Sequence, residues 1–213
     1  MDSYLRAGIA IFNAGEYHTA HDAWEEHWLE LESGDDDELF LHGLIQYTAA
    51  VYHARNRNWG GTTGLAESAV EYLKHLPAEY RGVNIGPVRS YLGTLGSDPE
   101  FIERRHPLRL RLDGVALAPD DLGFEATAVA ADCLAEERGD EELIEQATEF
   151  ARRDLDGTDD PLRGETDSPF IPLVFDYVRE PAHRGVVLQR LEGHVERRLA
   201  RERDVSGLFE PRD

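Results

Sequence analysis

The sequence predicts a mainly α protein: an antiparallel helical bundle with a short β-hairpin near 108–117 and a carboxyl-terminal helical extension. Three observations carry that prediction. Apolar residues recur at helical spacing through both ends of the chain, the only strict alternation is Leu108-Arg-Leu-Arg-Leu112, and breaking residues divide the chain into short segments. At 213 residues, a folded chain hides roughly 70% of the surface its unfolded form exposes, so folding needs neither disulfide nor metal.

Taken in order, Tyr4 to Asn13 places Leu5, Ile9 and Phe12 on one side of a first helix, which Ala14-Gly15 breaks. Glu16 to Glu32 forms a second helix, stopped by Ser33-Gly34. The acidic run Asp35 to Glu38 then suits the positive amino-terminal end of a third helix reaching Asn58. Gly60, Gly61 and Gly64 read as a turn before a fourth helix ending near Leu76. Residues 1–76 are therefore expected to form a helical core, 77–120 an irregular segment containing the hairpin, and 121–205 a helical extension packed on the core. Within the middle segment, Pro and Gly leave room for short helices near 88–95 and 99–104. Asp113-Gly114 is suited to the two-residue type I′ turn, whose central residues both take positive φ. The last third predicts helices over 124–137, 141–155, 170–179 and 182–203, with an acidic loop over 156–168.

Composition restricts function before any motif does. There are 43 acidic against 22 basic residues, a formal net charge of −21, and Lys74 is the only lysine. Duplex DNA binding draws on phosphate neutralisation by basic side chains, so nucleic acid is disfavoured as a partner. With 41% apolar residues the chain is too hydrophobic for intrinsic disorder. A folded surface this acidic is adapted to high salt, where the screening length falls to ~3 Å and like charges repel little. The absence of a long apolar run predicts no membrane contact, and the single cysteine, Cys133, fits a cytoplasmic address.

Chemistry is concentrated on two helices. In the second, Tyr17, Ala20, Trp24, Trp28 and Leu31 share an apolar face, and His21 and Glu25 are i,i+4 neighbours on its border, with His18 and Asp22 beside them. The third helix is apolar nearly all round, with His42, Gln46 and His53 aligned along one line. Folding the pair together predicts a polar seam of Asp22, Gln46 and His42 with His21, Glu25 and His53. Imidazoles and carboxylates on facing helices hold transition metals or move protons, which makes His21, Glu25 and His53 the candidate ligands of a divalent transition metal in a hydrolase site. His42 and His53 lie ~16 Å apart along the helix and cannot share an ion. The alternative is a non-enzymatic binding or interaction module, with a small molecule or a protein as partner. Its seam would be a structural hydrogen-bond network pairing Gln46 with Glu25.

Phe12-Asn-x-Gly15-Glu-Tyr17-x-x-Ala-His21-Asp22-x-x-Glu25-x-x-Trp28, then Phe40-x-x-Gly43-Leu-Ile-Gln46-x-x-Ala-Ala-x-x-His53 and Asn58-x-x-Gly61, resembles the domain-of-unknown-function family 309 in a haloarchaeal-type form. The resemblance covers residues 1–76 and implies an all-helical fold, with no activity attached. Asp22 stands where the family usually has Glu, His42 where Gln is common, and His18 where an aromatic is usual. These departures favour His21, Glu25, Gln46 and His53 over His18.

Overall fold

The computed structural model describes residues 1–157 and 168–207. Most of the expected acidic loop over 156–168 lies outside the described residues. The chain divides into two compact units, Met1–Cys133 and Leu134–Asp213. Among the described residues the structure is mainly helical and contains no strand.

In the first unit, α1 (Asp2–Ala14), α2 (Tyr17–Trp28), α3 (Asp36–Arg55), α4 (Trp59–Leu73) and α5 (Ile85–Ser97) each pack on the next. A single-turn α6 (Phe101–Arg104) also meets α3. Because α3 has neighbours on several sides, Phe40, Leu41, Leu44, Tyr47, Ala50 and Val51 are all buried around its circumference. Trp24 of α2 and Phe12 of α1 complete the centre of this core. Burying such a large apolar side chain is worth about 2–3 kcal/mol. At Gly43 a Cβ would stand 2.4 Å from Leu73, so the missing side chain is what lets α3 and α4 meet this closely.

The glycine-rich segment departs from expectation. Gly60, Gly61 and Gly64 do not interrupt the chain between helices but lie inside α4, which begins at Trp59. The start is fixed by Asn58, whose side-chain oxygen accepts the Gly61 N–H at 3.1 Å. One good N-cap contributes about 1 kcal/mol, enough to offset the helix cost of one glycine of similar size.

The segment around 108–117 also departs, and the reason is visible. The turn forms, with Asp113 at φ 51 and Gly114 at φ 79, and Leu112 and Val115 exchange both backbone hydrogen bonds. The ladder stops there. The next bonded pair of a hairpin in this register would be Leu110 with Leu117, and the Asn13 side chain occupies that place. Its Nδ2 donates to the carbonyls of Leu110 and Leu117, and its Oδ1 accepts the Leu110 N–H, all at 2.9 Å. On the other edge Asn84 accepts the Arg111 N–H at 2.8 Å. The Asn13 side chain thus does what the second hairpin strand would do, Asn84 adds a side-chain bond beside the Val83–Leu112 bridge, and isolated bridges replace the expected hairpin.

In the second unit, α8 (Glu141–Gly157), α9 (Phe170–Arg179) and α10 (Arg184–Gly207) pack on one another. The division between units falls within α7 (Phe124–Glu136). Ile144, Ala147, Phe150 and Ala151 of α8 meet Phe170, Val174 and Tyr177 of α9 in an apolar centre. Asp154 is buried there and receives Ser168 Oγ at 2.7 Å and Arg198 at 3.2 Å. Arg198 also pairs with Glu202 one turn along α10. No helix among the described residues is long and apolar enough to cross a membrane.

Candidate functional site

Residues four apart on a helix lie about one turn apart on the same flank, and that flank of α2 carries His18, Asp22 and, offset slightly, His21 and Glu25. His21 Nδ1 lies 2.9 Å from Asp22 Oδ1 and 3.7 Å from Glu25 Oε2, while His18 Nδ1 lies 3.6 Å from Asp22 Oδ2. His21, Asp22 and Glu25 each offer a donor atom, all three within 4.8 Å of one another. The Asp22 hydrogen bond raises the pKa of His21 above the ordinary imidazole value; burial opposes it, and the charges of Glu25 and Asp22 add to it. His21 is thus half-buried and presents its Nδ1 to two carboxylates.

This flank opens on a cleft of about 220 Å³ between α2 and α3. His18, His21 and Asp22 line one side and Ala49, Tyr52 and His53 the other, with Tyr17 at the edge. The ring of His18 packs edge-on against Tyr52, centroids 5.6 Å apart. The small Ala49 keeps the space between the helices open.

The tautomer of His53 is set by its neighbours. The Gly61 N–H fixes the Asn58 amide with its oxygen toward α4, so Asn58 Nδ2 points at His53 Nδ1, 2.7 Å away. An amide NH2 can only donate, so His53 Nδ1 accepts and its neutral ring carries the proton on Nε2. Gly61 is required for this arrangement: a Cβ there would stand 2.9 Å from His53 Nδ1. Asn58 and Gly61 therefore serve the cleft through His53. In the sequence they read as parts of a turn.

The other expected members of the seam lie elsewhere. His42 does not join His21; its Nδ1 meets Glu38 Oε1 at 3.2 Å, its ring stacks on Tyr72 with centroids 3.7 Å apart, and Trp28 packs against it. Glu38, only 8% exposed, also accepts Trp28 Nε1 at 2.8 Å and the Gly34 N–H at 3.1 Å. Burial alone would raise its pKa, but the bonds from Trp28, Gly34 and His42 outweigh burial and hold it below the usual value. Gln46 lies half-buried between the two clusters and makes no side-chain hydrogen bond among the described residues, so its pairing with Glu25 is not formed. Glu38 is hidden in an acidic run that reads as helix capping; its i,i+4 relation to His42 is the signal that could have found it.

Residues 5–65 match the family described as a domain of unknown function (DUF309). That stretch holds most of α1, all of α2 and α3, the start of α4 and every residue of the cleft. The chain is also 28% identical over 103 residues to an "Uncharacterized protein" of Aquifex aeolicus (strain VF5). The alignment covers 46% of this chain and 31% of that relative, so the chain spans about a third of the relative's length. Both are likenesses of sequence, and neither brings an activity with it.

Proposed function

We propose that the cleft between α2 and α3 is a divalent transition-metal site, with His21, Asp22 and Glu25 as protein ligands and its open side available for hydrolysis of a small substrate. The observation that supports this reading is the convergence of one imidazole and two carboxylates, of which His21 and Asp22 line the cleft. Tetrahedral coordination with bonds of about 2.1 Å sets ligand atoms about 3.4 Å apart, and the separations from His21 Nδ1, 2.9 and 3.7 Å, bracket that figure. A metal there would make a bound water a stronger acid. His53, with its proton on Nε2, donates across the cleft to developing negative charge and is a substrate-facing partner, outside the ligand set.

Metal content of protein purified in concentrated salt without chelator tests the proposal, alongside uptake of added zinc, manganese and nickel. About one ion per chain, lost in His21→Ala while far-UV CD is retained, is expected. A wild-type protein that neither carries nor takes up metal, with His21→Ala merely less stable, supports the second reading instead: a non-enzymatic helical module. The observation that favours this second reading is the 2.9 Å His21–Asp22 hydrogen bond, which satisfies the pair with no ion.

We also propose that the helices of the first unit form an antiparallel bundle and that the net charge of −21 reflects life in the concentrated cytoplasmic salt of a halophile. Short connections between consecutively packed helices support the first point. Unscreened repulsion destabilises so acidic a fold in dilute buffer, so helical CD signal should fall as KCl is withdrawn. Full structure without salt would refute the salt adaptation.

A further inference from the structure

We propose that a second cleft in the first unit, formed where α2 begins beside the 106–109 segment, binds a phosphate group, as the free ion or as a phosphate monoester. This cleft has a volume of about 480 Å³ and is lined by Arg55, His106 and Arg109 together with Tyr17 and the backbone around Gly15.

In so acidic a protein basic side chains find partners readily: Arg6, Arg57, Lys74, Arg81 and Arg104 are all in ion pairs, and Arg89 and Arg111 bond to backbone carbonyls. Among the described arginine and lysine side chains of this unit, only Arg55, Arg105 and Arg109 have neither an ion pair nor a hydrogen bond. Two of the three line one cleft. Burial raises the pKa of the Tyr17 phenol, and the charges of Arg55 and Arg109 both act on it in the opposite sense, so the two guanidiniums and the phenol share one local field.

Backbone adds to side chains. The amino terminus of α2 opens here, with no acidic residue in its first turn and no side-chain hydrogen bond from Glu16 at its cap position. The partial positive charge of a helix amino terminus favours an anion. The segment that carries Arg109 is held in place on both sides: Tyr47 donates to the Leu108 carbonyl at 2.8 Å, and Asn13 grips Leu110. Site residues on a pinned backbone are pre-organised for a ligand.

The ligand class follows from charge and shape. Two guanidinium forks match a dianion with several oxygens, which describes phosphate; a carboxylate would neutralise one fork and leave the other unpaired. The volume exceeds what a bare ion needs, leaving room for the organic part of a monoester. This site stands independently of the metal proposal and is tested on protein stripped of metal by chelator and then dialysed.

Calorimetric titration with inorganic phosphate, glycerol 1-phosphate and acetate at fixed ionic strength tests the assignment. Saturable phosphate binding is expected, weakened at least about tenfold in Arg55→Ala or Arg109→Ala, since a charge-assisted hydrogen bond contributes that much or more. Arg109→Lys, which keeps the charge and loses the fork, should bind with intermediate affinity. Arg105→Ala removes an unpaired cation outside the cleft and should bind as wild type, and far-UV CD should be the same for all variants. Tighter binding of glycerol 1-phosphate would identify a monoester, and equal binding the free ion. The proposal is overturned by an absence of saturable binding, by acetate binding as tightly as phosphate, or by Arg105→Ala losing as much affinity as Arg109→Ala.

Discussion

The α2–α3 pair carries two histidine–carboxylate pairs built from the same i,i+4 spacing, and they differ in what surrounds them. Glu38 with His42 is closed: three donors converge on one buried carboxylate, and Trp28 and Tyr72 cover the imidazole. His21 with Glu25 is open, sharing its nitrogen between two carboxylates beside an unfilled cleft. The closed pair resembles an element of architecture, with the carboxylate answered inside the protein. The open pair retains capacity to bind. Spacing along a helix thus creates the pair, and the packing of its neighbours decides its use.

The largest effect expected from breaking this contrast is on stability at the closed pair. Glu38→Ala leaves the Trp28 indole and the Gly34 N–H without an acceptor, at a cost of about 3 kcal/mol, while metal uptake at the cleft is unchanged. Denaturant melts at constant high salt measure the first, and titration with zinc the second. A loss below about 1 kcal/mol would show that the closed pair contributes little to the fold.

A smaller effect is expected at Gly61→Ala. Crowding His53 and Asn58 costs about 2 kcal/mol, partly offset by about 1 kcal/mol of helix propensity, for a net loss near 1 kcal/mol. Its signature is local: nitrogen-detected NMR should show His53 losing the Nε2-protonated tautomer. Retention of that tautomer would mean that Asn58 and Gly61 do not set it.

The smallest effect is a pH dependence. The folded-state pKa of His21 is raised, so its contribution to stability is fully present below its unfolded value of about 6.5 and is lost as pH rises through the higher folded value. Because the side chain is about a third exposed, the change should stay below about 1 kcal/mol. Stability of wild type should fall slightly across that window, and His21→Ala should flatten the profile. Glu38 has the opposite sign: its lowered pKa gives a contribution present above the unfolded value and lost only as pH falls through the folded one.

Much of the helical order is legible in the sequence because periodicity and breakers are local. Phe170–Arg179 and Phe124–Glu136 form where apolar spacing places them, and the type I′ turn follows from Asp113-Gly114 alone. The failures are non-local. Nothing near Leu110 announces that Asn13 will take its hydrogen bonds, and Gly60 to Gly64 read as a break because the cap supplied by Asn58 and the proximity of His53 are seen only after folding. For the candidate site, the flank of α2 is readable, and so is the presence of His53 on α3. The separation of His42 from the rest is not, since it depends on Trp28 and Tyr72 arriving from other helices. The arginine cleft is illegible for the same reason: Arg55 and Arg109 are 54 positions apart in the chain.

The asparagine clasp has a kinetic consequence. Asn13 bonds to partners 97 and 104 residues away, so its three bonds form only after most of the first unit has been brought together, and closing so long a loop must be repaid by contacts made earlier. The helices of this unit should therefore assemble before the clasp engages. Removing its amide should mainly accelerate unfolding, leaving the refolding rate nearly as it was.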